Sequence, residues 1–235
     1  MMSATNSNIW FLENIDLTGI FCPNKLSHSK EDHEHVEYNK GEYIYMSHDK
    51  ADRIFFITDG QVKIGALSSS GKEITKAILT KGEVFGELAI VKSGERGDFA
   101  IAMEKTTCCV LTKEEMMGLM KEHNALSLFL MKTLGSRALE MESRLESLVF
   151  KDSRSRIIEF LLELVEKRGE RVGYEYVVRK FITHQEIANL TATSRQTVTT
   201  VLNDLRSQDI ITFDRRRLLI RDLDALKKEA IVEAG

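Results

Sequence analysis

Two helix-start signals stand ten residues apart toward the C-terminal end of the chain, a spacing that leaves room for one short helix and one tight turn. Thr183 with Glu186, and Thr193 with Gln196, both fit the Ser/Thr-x-x-Glu/Gln capping box, in which side chains satisfy the unpaired amides of a first helical turn. After Thr193, the apolar residues Val198, Val201, Leu202 and Leu205 recur at i, i+3, i+4 and i+7, so they share one stripe of a helix and must face a core. The other side carries Gln196, Thr200 and Asn203, flanked by Arg195, Thr199 and Arg206. Four threonines, Thr193, Thr197, Thr199 and Thr200, cost helix propensity, which points to a purpose other than stability. Arginine pairs bidentately with guanine, amides pair with adenine, and threonine methyls meet thymine, so this face suits the major groove of a duplex. Ile210, Ile211 and Phe213, then Leu218, Leu219 and Ile220, predict two strands around Asp214-Arg215-Arg216-Arg217, whose arginines suit phosphate contact. The whole reads as a winged helix-turn-helix.

The rest of the chain is ordinary globular material, with 43% hydrophobic and 29% charged residues over 235 positions, enough for about two domains. No apolar run approaches the roughly 20 residues that span a bilayer, and the N-terminus, with Trp10 and Phe11 among polar residues, lacks a signal-peptide pattern, so a cytoplasmic protein without a membrane partner is expected. Cys22, Cys108 and Cys109 are too few for a disulfide framework or a four-cysteine cluster. Net charge is −3, but residues 1–150 carry 17 basic and 22 acidic side chains while residues 151–235 carry 16 and 14. The positive balance therefore sits with the helix-turn-helix, and it is small enough that nonspecific nucleic-acid affinity should be weak and salt-sensitive.

Between about Tyr38 and Leu111 the sequence breaks into short strand-like runs such as Tyr43–Tyr45, Ile54–Ile57 and Val62–Ile64. Asp59-Gly60 and Ser70-Gly71 predict hairpin turns, and Lys81-Gly82 and Ser93-Gly94 further corners, the pattern of an antiparallel roll. From Lys113 to Phe150 the period becomes helical, with Leu126, Leu130, Leu134, Met141, Leu145 and Leu148 on one seam. A helix of about 30 residues spans roughly 45 Å, longer than one small roll can cover, so the partner expected for it is a second copy of itself. Asp152 is the expected N-cap of the next helix. The expected organisation is an α+β chain with a β-roll over residues 1–112, a dimerisation helix over 113–150 and a winged helix-turn-helix over 151–235.

Roll, long helix, the Phe150–Arg156 hinge, Thr183–Ala188 and Ser194–Val198 together resemble the cyclic-AMP receptor protein/fumarate–nitrate regulator (Crp/Fnr) family along nearly the whole chain. Gly82-Glu83-Val84-Phe85-Gly86-Glu87-Leu88 looks like that family's phosphate-binding cassette. The resemblance implies a homodimeric transcription factor, not an enzyme, that binds palindromic promoter DNA, works with RNA polymerase, and turns its DNA-binding domains about Asp152 when the roll receives a signal. It also implies a base-reading role for Arg195 and phosphate contacts for Thr183 and Gln185; Gln196 stands where cyclic-AMP responders usually have glutamate, and Thr200 where they usually have a second arginine. With Thr193, Ser194, Thr199, Asn203 and the wing arginines Arg215, Arg216 and Arg217, these form the expected DNA surface.

The expected effector site is Gly86, Glu87, Leu88, Arg96, Gly97, Asp98, Met141 and Glu142. Gly86 permits a turn with free amides, and Glu87 can accept from a ribose hydroxyl. The family's cassette continues as arginine, serine or threonine, then alanine, whereas this chain has Arg96-Gly97-Asp98. On a strand, Asp98 would share a face with Arg96 and pair with it, and a carboxylate about 4 Å from a phosphate costs about 4 kcal/mol at an effective dielectric of about 20. Met141 and Glu142 replace the threonine and serine that would meet the adenine. A cyclic nucleotide is therefore disfavoured as ligand, and no cofactor or metal is assigned. His28, His33 and His35, with Glu34 and Glu37, read as a solvated edge, and the cysteines as reduced thiols. An alternative stays open at this point, that of a ligand-binding module acting through a protein partner.

Overall fold

The computed structural model describes residues 34–69, 71, 73–91 and 94–230, so His28, His33 and Cys22 lie outside the described residues. The chain divides into two compact units, residues 1–71 with 76–131 and residues 72–75 with 132–235.

The first unit is built from β1 (Glu34–Tyr38), β2 (Tyr43–Tyr45), β3 (Arg53–Asp59), β4 (Gln61–Leu67), β5 (Glu73–Thr80), β6 (Val84–Phe85), the short α1 (Leu88–Val91), β7 (Phe99–Ala102), β8 (Thr106–Thr112), α2 (Lys113–Glu122) and the start of α3 (Asn124–Phe150). Its strands form two four-stranded sheets, ordered β1-β8-β3-β6 and β2-β7-β4-β5. In the β3–β8 ladder Ile54 opposes Leu111, Phe55 opposes Val110, Phe56 opposes Cys109 and Ile57 opposes Cys108. Alternation along these strands then feeds two cores. Phe55, Ile57, Cys108 and Val110 join Tyr45, Val62, Ile64 and Phe85. Ile54, Phe56, Cys109 and Leu111 join Met116, Leu119, Leu126 and Leu130 of the helices. A strand buried on both faces needs an unbroken apolar run, which is why Ile54-Phe55-Phe56-Ile57 shows no polar alternation. The adjacent cysteines point to opposite cores, both fully buried, and burial pushes the Cys108 thiol up to about 12.

Two expectations change here. Asp59-Gly60 is no hairpin, because β3 and β4 lie in different sheets and the chain turns a corner between them. And the helical run from Lys113 is two helices, not one. At His123 the backbone leaves the helix (φ −125°, ψ 92°) while its amide still donates to the Leu119 carbonyl, and α3 begins at Asn124. Neither Gly118 nor Gly135 interrupts a helix; the break falls at His-Asn, two residues of modest helix propensity, and Met116 and Leu119 on one side of it reach the same core as Leu126 and Leu130 on the other. Leu126 and Leu130 thus serve the roll and leave the exposed seam to the rest of α3.

The second unit contains the remainder of α3, then α4 (Ser153–Arg168), β9 (Gly169–Val172), β10 (Glu175–Arg179), α5 (His184–Thr191), α6 (Arg195–Ser207), β11 (Ile211–Phe213), β12 (Arg217–Ile220) and α7 (Leu223–Ala230). Its sheet is ordered β11-β12-β10-β9 and antiparallel throughout. Asp152 caps α4 as expected, accepting from the Ser155 amide at 2.7 Å; that bond, first among the causes, holds its carboxyl below the usual range. No described helix is long and apolar enough to cross a membrane.

The corner at Gly60 yields a stability prediction. Its φ is +94°, and a Cβ there would sit 2.5 Å from the Thr106 hydroxyl and 2.6 Å from the Lys105 carbonyl. Gly60→Ala should cost about 2–4 kcal/mol, read by calorimetry of the full chain as a lower midpoint for the first unit. A loss under about 0.5 kcal/mol would show that the corner relaxes freely.

Candidate nucleic-acid interface and sensor site

The interface is set by how α6 is held. Val198, Val201, Leu202 and Leu205 are buried, and α6 packs on α4, α5 and β11. Rotation by about 100° per residue then fixes what faces outward: Arg195, Gln196, Thr200 and Asn203 are exposed, with Thr199 half-buried.

The caps differ in one respect from expectation. Thr183 and Glu186 form the full reciprocal box at the start of α5: the Thr183 side chain accepts from the Glu186 amide, and the Glu186 carboxylate accepts from the Thr183 amide and hydroxyl. At α6, however, the cap is Ser194, accepting from the Thr197 amide at 3.0 Å, and not Thr193. Thr193 instead pairs hydroxyl to hydroxyl with the buried Thr191 at 3.0 Å. Ala192 between them is left-handed (φ 51°, ψ 46°), and this turn delays the helix start by one residue. Thr183 and Ser194 thus carry capping bonds, while Gln185 is exposed and donates to Asn189 at 2.9 Å.

Arg156, which the sequence shows only as a polar position in an apolar helix, braces that turn. Its guanidinium donates to the Thr191 carbonyl (3.0 Å), the Ala192 carbonyl (3.3 Å) and the Lys151 carbonyl (2.8 Å), joining the end of α3 to the helix-turn-helix. Arg154 bridges Asp204 of α6 at 2.5 Å and Glu229 of α7 at 2.6 Å. His184 is a third residue missed: its Nδ1 lies 2.9 Å from the Thr199 hydroxyl and its ring stands edge-on to Phe213 at 5.6 Å. Apart from Lys151, their partners lie 15 to 75 residues away, which is why periodicity and capping rules do not mark them.

The wing tip is organised by Asp214, which accepts from the Arg216 and Arg217 amides at 2.7 and 2.8 Å; the Arg216 amide bond heads the causes that hold its carboxyl low. Arg217 also pairs with Asp214 through its side chain at 3.2 Å, while Arg215 and Arg216 are exposed at the tip. The Arg206 guanidinium lies 5.7 Å from the Phe213 ring, tying the far end of α6 to the wing.

In the first unit, Gly86 has φ +76°, and a Cβ there would meet the Arg53 carbonyl at 2.9 Å and the Arg96 guanidinium at 3.0 Å. Glu87 is buried, Leu88 exposed. Arg96 does not pair with Asp98. Residues 96–98 lie outside any strand, since β7 begins at Phe99, so alternation does not place them on one face. Asp98 pairs instead with Lys76 at 3.1 Å. The Arg96 guanidinium is buried 3.9 Å from the Tyr45 ring and donates to the Arg53 carbonyl at 2.7 Å, and its Nε has no hydrogen-bond partner. Burial, then Asp98, raises the Tyr45 hydroxyl well above its ordinary value. A Cβ on exposed Gly97 would meet nothing within 4 Å, so space does not explain the missing hydroxyl. Met141 and Glu142 are exposed on α3 within the second unit. His35 is exposed on β1, and no cluster of three or more metal-ligating side chains occurs among the described residues.

Comparison with known proteins agrees with this geometry. The cyclic nucleotide-binding domain family matches residues 35–123, and the Crp-like helix-turn-helix domain family matches residues 155–229. The global nitrogen regulator of Synechocystis sp. is 31% identical over 82% of this chain and 86% of its own length. The chain belongs to the Crp/Fnr family of transcriptional regulators. This Crp/Fnr regulator is also 27% identical to the CRP-like cAMP-activated global transcriptional regulator of Mycobacterium tuberculosis, over 83% of this chain and 87% of that one. Among solved structures, a mutant of CooA from Carboxydothermus hydrogenoformans superposes with a TM-score of 0.75 at 30% identity, covering 84% of this chain and 87% of that one. Its relatives are regulators and not enzymes, and its α+β fold and DNA-binding helix-turn-helix are those of the family.

Arg195 and Arg216 separate base reading from phosphate contact. In fluorescence anisotropy against a selected duplex, Arg195→Ala should cost about 1–3 kcal/mol and relax preference at one base pair per half-site. Arg216→Ala should weaken all duplexes alike and reduce the salt slope by about one. Equal effects of both on every sequence would remove α6 from base readout.

Proposed function

We propose that this regulator acts as a homodimer on palindromic promoter DNA, with a sensor unit that does not take cyclic AMP, and that RNA polymerase is its protein partner. The observation that carries the dimer is the outer face of α3. Met131, Leu134, Ala138, Met141, Leu145 and Leu148 alternate three and four residues apart, the seam of a coiled coil with a repeat of about 3.5 residues. Met131, Met141 and Leu145 are 69%, 71% and 63% exposed in the single chain. Glu140 and Ser147, on a neighbouring stripe, are engaged by Lys167 and Glu159 of α4 at 2.7 and 2.9 Å, which leaves the apolar seam free of α4. Apolar groups so exposed favour association. Dimerisation would present two copies of α6 to successive major-groove segments.

The ligand reading rests on Arg96. A cyclic phosphate needs a guanidinium that faces it, and here that group is buried against Tyr45 and bound to a backbone carbonyl, with no hydroxyl at Gly97. The relatives' names do not agree on a signal: one is a nitrogen regulator and another is cAMP-activated. The departures at Gly97 and Asp98 count against the latter kind. A purely protein-directed module has no observation in its favour, given the polar outer face of α6.

Two measurements test this. Leu145→Arg should yield monomers by sedimentation equilibrium and weaken duplex binding by at least about tenfold, through loss of the linked second half-site; a dimer that persists would remove α3 from the interface. Millimolar cyclic AMP should leave the thermal midpoint unchanged, whereas a ligand at about 100 times its dissociation constant would add about 2.7 kcal/mol. A rise of several degrees would mean that Arg96 turns out to meet the phosphate.

A further inference from the structure

His184 opens α5 and touches both other parts of the DNA-reading apparatus. Its Nδ1 lies 2.9 Å from the Thr199 hydroxyl of α6, and its ring stands edge-on to Phe213 of the wing strand at 5.6 Å. The Thr199 hydroxyl also donates to the Arg195 carbonyl, one turn earlier in α6, at 2.9 Å. A hydroxyl has one proton. With that proton committed to the carbonyl, the same oxygen must accept from His184, so Nδ1 carries hydrogen. Nδ1–H is present both in this neutral tautomer and in the imidazolium, so the bond does not depend on which form is populated.

We infer that His184 is a specificity-positioning residue: by holding the Thr199 hydroxyl against its own helix, it makes Thr199 present a methyl group, and not a donor, to the groove. A helical threonine divides between two side-chain rotamers because its hydroxyl can bond back to a carbonyl in the preceding turn. The back-bond to Arg195 alone leaves the hydroxyl oxygen open toward solvent; the second bond, from His184, closes it. What remains for a base edge is the methyl, whose natural partner in the major groove is the C5-methyl of thymine. The ring's contact with Phe213 keeps the imidazole from swinging away, and Phe213 is itself flanked by Phe181 at 6.4 Å and the Arg206 guanidinium at 5.7 Å. Burial, and then the Arg195 charge, hold the imidazole below its ordinary value, in keeping with a group packed into this corner.

This inference rests on the reading of α6 as the base-reading helix, and the experiment keeps the two apart. The full-length protein first selects duplexes from a randomised pool. Affinities of wild type, His184→Ala, His184→Asn, His184→Gln, Thr199→Val and the His184→Ala/Thr199→Val double variant are then measured on the selected duplex and on a set with each base pair replaced in turn. His184→Ala should lose about fivefold to tenfold of its discrimination at one thymine-containing pair, at the equivalent place in each half-site, while other positions keep theirs. Asparagine, whose amide nitrogen replaces Nδ1 as donor, should restore it. Thr199→Val, which keeps the methyl and a single helical rotamer, should match wild type in base preference, and adding His184→Ala to it should change nothing more.

Two results overturn the inference. One is a uniform loss across all sequences in His184→Ala, rescued by glutamine and not asparagine, which would make the ring a phosphate ligand through Nε2. The other is a loss of preference in Thr199→Val, which would mean that the hydroxyl reads the base directly; this variant decides the point even if changes at His184 unsettle the fold. Failure of the wild-type protein to select any sequence would sink the underlying reading of α6, and the inference with it.

Discussion

Everything in the second unit follows from one helix having to serve two surfaces. Val198, Val201, Leu202 and Leu205 anchor α6 in a core shared with α4, α5 and β11, each contributing about 1.5–3 kcal/mol by leaving water. Because side chains step round a helix by about 100° each, anchoring that stripe leaves no freedom in which residues face outward. A slip of one position would replace Arg195, Gln196, Thr200 and Asn203 with a different set. The supporting contacts guard that register. Ser194 fixes where the helix begins, Arg156 holds the turn before it, and Arg154 holds its middle through Asp204.

The first unit solves a different problem, that of closing two small sheets around one interior. Sheet β1-β8-β3-β6 is covered on both sides, by the other sheet's core and by α2 with the start of α3, and this demands unbroken apolar runs in the middle of its central strands, Ile54–Ile57 and Cys108–Leu111. Its corners need backbone that only glycine supplies without strain, as at Gly60, and close approach, as at Gly86 beneath the Arg96 guanidinium. Arg96 is in this arrangement part of the packing: its flat face lies on Tyr45 and one of its nitrogens serves the Arg53 carbonyl. The pairing of Asp98 with Lys76 belongs to the same economy of local partners.

Local rules reveal those features whose cause is local. Thr183-Glu186, Asp152 and the α6 stripe were legible because a cap or a helical face is decided within a few residues. Thr193 misled for an instructive reason: Thr191, Thr193 and Ser194 all carry hydroxyls, the box spacing to Gln196 is satisfied by Thr193, and only the left-handed Ala192 turn decides which residue comes to lie at the cap. Asp98 stands where no strand runs, so the alternation that would bring it beside Arg96 does not operate. The break at His123 carries no proline or glycine to announce it. Arg156 and His184 were invisible for another reason, since an arginine or histidine declares nothing until the chain brings a carbonyl or a hydroxyl beside it.

The proposed regulator would set two copies of α6, paired through α3, in successive major-groove segments on one face of a duplex. Hydroxyl-radical and methylation-protection footprinting on a duplex selected by the full-length protein measures this directly. Two protected major-groove segments with matching sequences in inverted orientation are expected, their centres about 34 Å, one helical turn, apart. A single protected segment, two segments in direct repeat, or protection confined to the backbone with no protected bases would contradict it.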